Sequence, residues 1–243
     1  MNKCVTLVPV YKSRLTKNEE LTLKFSIFEL KLKNIVFIGP EKFDYSYYQE
    51  NFKHITIEKF SNEYFESVQG YSKLMLNLDF YNLFSSSKFI LIYQTDALII
   101  RNDIESWCNQ DFDYIGAPWP DKFQYLMQFD NFQNNPINVS ASVGNGGLSL
   151  RRIQKCRDLI NEFPELHSFF INTGSSEDLF FGIGSNISRN FRTPNEITAS
   201  LFSLELQPEK YYQINGKSIS MGAHAWEKYN PKFWYSICPF LSL

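Results

Sequence analysis

Two short acidic stretches, one histidine and one glycine cluster hold most of the chemistry this sequence offers. Gln94-Thr95-Asp96 interrupts two apolar runs, 89–93 and 97–100. A strand buried on both faces reads as a continuous apolar run, so Asp96 falls where a central strand ends. In open α/β sheets ligands bind outside the carboxyl ends of the strands, and a carboxylate between two buried segments calls for a partner. Ser175-Ser176-Glu177-Asp178 stands directly before Leu179-Phe180-Phe181-Gly182. Two acids beside an apolar segment could do chemistry; the same residues are also what a helix start favours, for capping and for the helix dipole. His224 follows a glycine and lies among aromatics in 221–229, where both ligation and a structural role are open to it. The other two histidines, His54 and His167, have no companions of note. In Gly144-Asn145-Gly146-Gly147, three glycines allow close backbone approach to a ligand or a positive φ. The spacing is neither a dinucleotide fingerprint nor a phosphate-binding P-loop.

These residues need elements to position them. The run 5–10 reads as a first strand, 34–38 as a second stopped by Gly39-Pro40, and 55–57 as a third. A helix starts near Asn18 as N-cap, with Leu21, Phe25, Phe28 and Leu32 on one apolar face. Gly70-Tyr71-Ser72-Lys73 opens another, with Leu74, Leu78 and Tyr81 sharing a face, and it leads into the strand that ends at Gln94. Asp103 caps a short helix through Trp107, 113–117 is a further strand, and an amphipathic helix covers 152–163. Alternating strands and helices predict a mainly parallel sheet with crossover helices. Residues 119–142 lack a good period and are rich in aromatics, which reads as a long substrate-facing loop.

The 243 residues show no linker, repeat or low-complexity tract, so one domain over 1–243 is expected. A net charge of -2 gives no footprint for nucleic acid. No apolar run approaches the roughly 18 residues of a membrane helix, and the N-terminus does not read as a signal peptide. Cys4, Cys108, Cys156 and Cys238 form no CxxC and are expected to be reduced thiols in a cytoplasmic protein. The sequons at Asn138 and Asn186 are then chance matches.

Taken in order, seven blocks resemble GT-A-type glycosyltransferases, and more narrowly an uncharacterised bacterial family linked to surface-polysaccharide synthesis. The blocks are 7–11, 70–75, 91–97, 114–119, 144–151, 177–178 and 224–228. The resemblance implies a GT-A-like (Rossmann-like) α/β fold with a mixed, mainly parallel central sheet flanked by helices. It places a nucleotide-binding half over about 1–100 and an acceptor-binding, catalytic half over about 101–243. It implies an inverting, metal-assisted enzyme that moves a sugar from a nucleotide-diphosphate sugar to a glycan or lipid-linked acceptor, met at the inner face of the membrane if lipid-linked. A retaining GT-A enzyme and a non-catalytic sugar- or nucleotide-binding domain are the alternatives. Nucleotidyl transfer would need a glycine-rich phosphate loop that 9–14 does not contain.

The resemblance also implies roles. Gln94-Thr95-Asp96 fills the place of the Asp-x-Asp metal motif, with the first acid missing. Asp96 and His224 would hold Mn²⁺ or Mg²⁺, with Gln94 giving a carbonyl oxygen or a hydrogen bond. A metal-free variant would put the phosphate charge on Lys73 and Arg151. Asp178 would be the general base that takes the acceptor's hydroxyl proton, its pKa raised by the apolar wall, and Glu177 would bind acceptor hydroxyls. Tyr11 would stack on the nucleotide base, Lys73 would reach a phosphate, and Asn145, Gly146 and Gly147 would line the donor sugar. Trp119 and Trp226 would stack on sugar faces or pack in the interior.

Overall fold

The computed structural model describes residues 2–242. Among them nine strands form: β1 (Asn2–Pro9), β2 (Ile35–Pro40), β3 (Thr56–Phe60), β4 (Ser87–Tyr93), β5 (Leu98–Ile99), β6 (Tyr114–Met127), β7 (Ile137–Arg152), β8 (Ser203–Leu204) and β9 (Gly222–Ala223). Six make a central sheet in the order β3-β2-β1-β4-β7-β6. Its first four strands are mutually parallel, and β7 and β6 add antiparallel beyond β4. The remaining three form a small second sheet, β5-β9-β8.

Alternate residues of the central strands feed two cores, as the period of two requires. Leu7, Ile90 and Ile92 pack on one side with Phe180 and Phe181. Val8, Phe89, Leu91 and Tyr93 pack on the other. No helix among the described residues is long and apolar enough to cross a membrane. Cys4, Cys108, Cys156 and Cys238 are free thiols.

The structure corrects the sequence reading at three places. The first helix, Lys17–Lys24, is capped by Thr16, not Asn18. Thr16 Oγ1 accepts from the Glu19 amide at 3.2 Å, and Glu19 Oε2 accepts from the Thr16 amide at 2.8 Å, a reciprocal capping box. The face it buries is largely polar: Glu19, Thr22 and Leu23, continued by Ser26 in the π-helical turn Phe25–Glu29, while Phe28 is 57% exposed. Ser26 Oγ lies 3.0 Å from the Tyr93 hydroxyl at the end of β4, which rewards a polar helix face.

Second, the helix after Gly70 is two helices, Val68–Met75 and Leu78–Leu83. Asn77 breaks them by capping the second, accepting from the Asp79 amide at 2.7 Å. Third, 119–142 is not a loop but most of the β6–β7 hairpin, paired from Phe123↔Ala141 to Met127↔Ile137. The end of the central strand before Asp96 is where the sequence puts it: the Ala97 amide donates to Gln94 O at 2.9 Å in a tight turn, and β5 then joins the small sheet. In the β6–β7 hairpin the strand alternation is plain: Val139, Ala141 and Val143 point inward and alternate with Asn138, Ser140 and Ser142. Pro118 and Pro120 cannot donate to a ladder, and the register shifts in their stretch, between Pro118 and Phe123.

Candidate active site

The carboxyl ends of β1 and β4 open into a cavity of about 420 Å³. Pro9 and Tyr11 reach it from β1, Gln94 from β4, and Asn145 and Gly147 from β7. Glu177 and Asp178 reach it from the first turn of the helix Glu177–Ile187, and His224 from the residue after β9. The roof is the helix Val68–Met75, which presents Val68, Tyr71 and Ser72. These three are spaced i, i+3 and i+4, one face of a helix.

One corner is built on His224. Its Nδ1 lies 2.9 Å from Glu205 Oε2, and its Nε2 lies 3.0 Å from Gln94 Oε1 and 3.3 Å from Asp96 Oδ1. Burial alone would lower the imidazole pKa, but the Asp96 and Glu205 carboxylates outweigh it and push it up to about 10. Burial likewise works to raise the Asp96 carboxyl, and the His224 hydrogen bond and charge bring it below the usual value. The turn that holds Asp96 is anchored twice. The Gln94 amide donates to Gly147 O at 2.9 Å, and Thr95 Oγ1 donates to the buried Glu19 at 2.7 Å.

The opposite corner is built on Arg151, which is fully buried. Its Nη2 donates to Glu177 Oε1 at 3.1 Å and lies 3.9 Å from Asp178 Oδ1. Ser72 Oγ donates to the other Glu177 oxygen at 2.9 Å. Asp178 Oδ2 accepts from the Gly146 amide at 3.0 Å. Burial, and then the charge of Glu177, raise the Asp178 carboxyl well above its usual value, against the pull of Arg151. Both acids also stand in the first turn of a helix, the structural role the sequence left open for them. The Tyr71 hydroxyl and Arg151 Nη1 are buried here without a hydrogen-bond partner.

The glycines are required by side chains rather than by φ, since neither Gly146 nor Gly147 has a positive φ. A Cβ on Gly146 would stand 2.1 Å from Asp178 Oδ1, and one on Gly147 would stand 2.1 Å from His224 Nε2. β7 thus has to be bare where the two corners press against it.

Several expected contacts do not form. Lys73, two residues beyond Tyr71, is turned away by roughly 200° of helical rotation and lines a different cavity with Tyr64 and His167. Arg151 is committed to Glu177 and Asp178, so it is no free phosphate ligand. Trp119 and Trp226 are 7% and 1% exposed and pack against Phe123 and Tyr235, which leaves packing as their role.

Among the described residues no three His, Cys, Asp or Glu side chains gather round one point as a ready metal cage. Asp96 and Glu205 face opposite nitrogens of His224 and cannot share an ion. The donor set Asp96, Gln94 and His224 Nε2 does suit a divalent cation completed by substrate phosphates, which commonly takes only one or two carboxylates from the protein. The Glu205–His224 contact is the carboxylate–imidazole support that metal-binding histidines ordinarily have.

The profile of a family described as "Protein of unknown function (DUF5672)" matches residues 54–224, which includes every residue lining the cavity except Pro9 and Tyr11. The chain belongs to the DUF5672 family. No curated protein matches it. Among solved structures, this DUF5672 chain is similar to mouse xyloside xylosyltransferase 1 in its apo form, at 10% identity over 91% of this chain and 97% of that one, with a TM-score of 0.50. It is also similar to a glycosyltransferase involved in the glycosylation of the major capsid of PBCV-1, at 12% identity over 91% and 92% with a TM-score of 0.49. A third is a cytidylyltransferase from Leptospira borgpetersenii serovar Hardjo-bovis, at 14% identity over 66% of this chain with a TM-score of 0.39; the chain spans 65% of that protein's length. The fold is therefore GT-A-like: α/β, with a mixed, mainly parallel central sheet flanked by helices.

Four residues of this DUF5672 site escape the sequence reading. Glu19 had a local signal, the T-x-x-E of a capping box at Thr16-Lys17-Asn18-Glu19. Tyr71 and Ser72 follow from helix periodicity once Lys73 is given the opposite face. Glu205 had none, since it meets His224 only through the pairing of β8 with β9.

Proposed function

We propose that this protein is a glycosyltransferase that moves a sugar from a nucleotide-diphosphate sugar to a glycan or lipid-linked acceptor, with inversion at the anomeric carbon. The observation that carries the reading is the convergence, in one cavity at the strand ends, of an exposed aromatic, a cation-suited corner and a desolvated acid pair. The GT-A-like fold agrees with it. Tyr11, 49% exposed, offers a stacking face for the base. Asn145, Gly146 and Gly147 border the donor sugar, the last two through their backbone.

Asp178 takes the acceptor hydroxyl proton. Its raised pKa brings it nearer the operating pH, where a general base works best. Glu177 is the poorer base, because Arg151 and Ser72 occupy both of its oxygens; it positions Ser72 and the acceptor side of the cavity. Asp96, His224 and Gln94 would hold Mn²⁺ or Mg²⁺. Such a cation, when bound, neutralises the departing diphosphate.

Asp178→Ala is expected to lower turnover by about 10²–10⁴-fold, and Asp96→Ala to weaken donor binding together with any response to Mn²⁺. Wild-type turnover by both variants would sink the mechanism. The anomeric configuration of the product, read by NMR, tests the stereochemistry; retention would replace the base by a different role for Asp178. A thermal-shift screen of nucleotide sugars with and without Mn²⁺ finds the donor, since a ligand bound to the native state raises the melting temperature.

A further inference from the structure

The cavity needs positive charge to receive a diphosphate, and its own lining is acidic: Glu66, Glu177 and Asp178 border it. Arg151 is buried and paired, Lys73 faces the other cavity, and His224 is held between carboxylates. Lys12 is placed differently. It directly follows Tyr11, which lines the cavity at the end of β1, and its side chain is 42% exposed. Its Nζ lies 2.5 Å from Glu19 Oε1. The same oxygen accepts from Thr95 Oγ1 at 2.7 Å, and Thr95 is the neighbour of Asp96. Lys12 and the Asp96 turn are therefore fastened to a single carboxylate oxygen. That carboxylate is 2% exposed and has no other task than to close the helix cap at Thr16. The charge of Lys12 is felt by both Tyr11 and Asp96.

We infer that Lys12 is the cation that meets the diphosphate of the donor, and that Glu19 is the positioning residue that parks it beside the Asp96 turn. This rests on the glycosyltransferase reading. The exposed ammonium needs only a side-chain rotation to exchange Glu19 for a phosphate oxygen, and Glu19 keeps its bonds to Thr16 and Thr95 when it does. The arrangement gives the Gln94-Thr95-Asp96 turn a second acid, supplied from the first helix and acting through Thr95 instead of from position 94.

Inorganic pyrophosphate is the probe, titrated by calorimetry into the full chain, with and without Mn²⁺ and at two salt concentrations. Lys12→Met is expected to weaken pyrophosphate binding by about tenfold, the order of one charged hydrogen bond, and to flatten its salt dependence. Lys73→Met is expected to bind as wild type does. Glu19→Gln removes the charge that competes for Lys12 and keeps the side chain's shape, so it is expected to tighten binding severalfold, a result a purely structural Glu19 does not give. If Lys12→Met does not fold, the sign of the Glu19→Gln effect decides. Equal affinities for wild type and Lys12→Met, or weaker binding by Glu19→Gln, overturn the inference and leave the glycosyltransferase reading standing. A wild type that binds neither pyrophosphate nor any nucleotide-diphosphate sugar overturns both.

Discussion

The two corners of the cavity use the same residue type, aspartate, under opposite conditions. Asp96 is 45% exposed and its carboxyl is held below the usual pKa, because the His224 imidazole lies beside it. Asp178 is 20% exposed, faces another acid, and is pushed well above the usual value even though Arg151 is close. The first corner keeps a negative charge available at a wet rim, which suits a cation. The second raises the proton affinity of a carboxylate against a dry wall, which suits taking a proton from a hydroxyl. Exposure and neighbours thus divide the labour between two chemically identical groups.

The comparison breaks most readily at Arg151. Replacing it with Met leaves Glu177 charged in the interior, and removing one partner of a buried pair costs about 3–5 kcal/mol. Urea unfolding of Arg151→Met is expected to show a loss of that order. A loss under 1 kcal/mol would mean that the dry corner is wet. Gly146→Ala comes next. Its Cβ meets Asp178 Oδ1 and Arg151 Nη2, and overpacking of this kind costs about 1–3 kcal/mol. An unchanged melting temperature would show that the corner is not packed as described.

A third test reads the raised carboxyl directly. The folded chain holds the Asp178 proton to higher pH than the unfolded chain does, so stability from this group is full below the ordinary carboxylate range, near 3.9, and is lost as pH rises through the raised value. Asn has no proton to lose. Asp178→Asn is therefore expected to gain stability over wild type progressively as pH rises above the ordinary carboxylate range, while it loses turnover. A gap that is constant with pH would deny the shift.

How much of this was legible in advance follows from the range of each interaction. β4 and the break at Asp96 are written in an unbroken apolar run, and the run is long enough to admit one reading. The first helix was misplaced because Asn18 is a good cap in isolation, whereas Thr16 wins through a reciprocal bond with Glu19. The β6–β7 hairpin was hidden by Asn, Gln and Pro, although Val139, Ala141 and Val143 carry the alternation of a half-buried strand. The pairing of Arg151 with Glu177, and Glu205 altogether, could not be found locally: the partners stand 26 and 19 residues apart and are brought near by sheet pairing and a helix start.

The smallest expected effect is at the wet corner. Asp96→Asn removes an ion pair with His224 whose carboxylate side is 45% exposed, and pairs open to water contribute about 0–1 kcal/mol. Glu205 and Gln94 still engage both ring nitrogens, so the imidazole keeps its place. Unfolding measured in the presence of a chelator is therefore expected to change by no more than about that amount, even where donor binding is lost. The contrast with Arg151→Met is the point: one corner can be discharged without harming the fold because water already solvates it, and the other cannot. A loss at Asp96→Asn that matches the loss at Arg151→Met would make Asp96 a structural acid, and a carboxylate on which the fold depends is poorly placed to exchange His224 for an incoming ion.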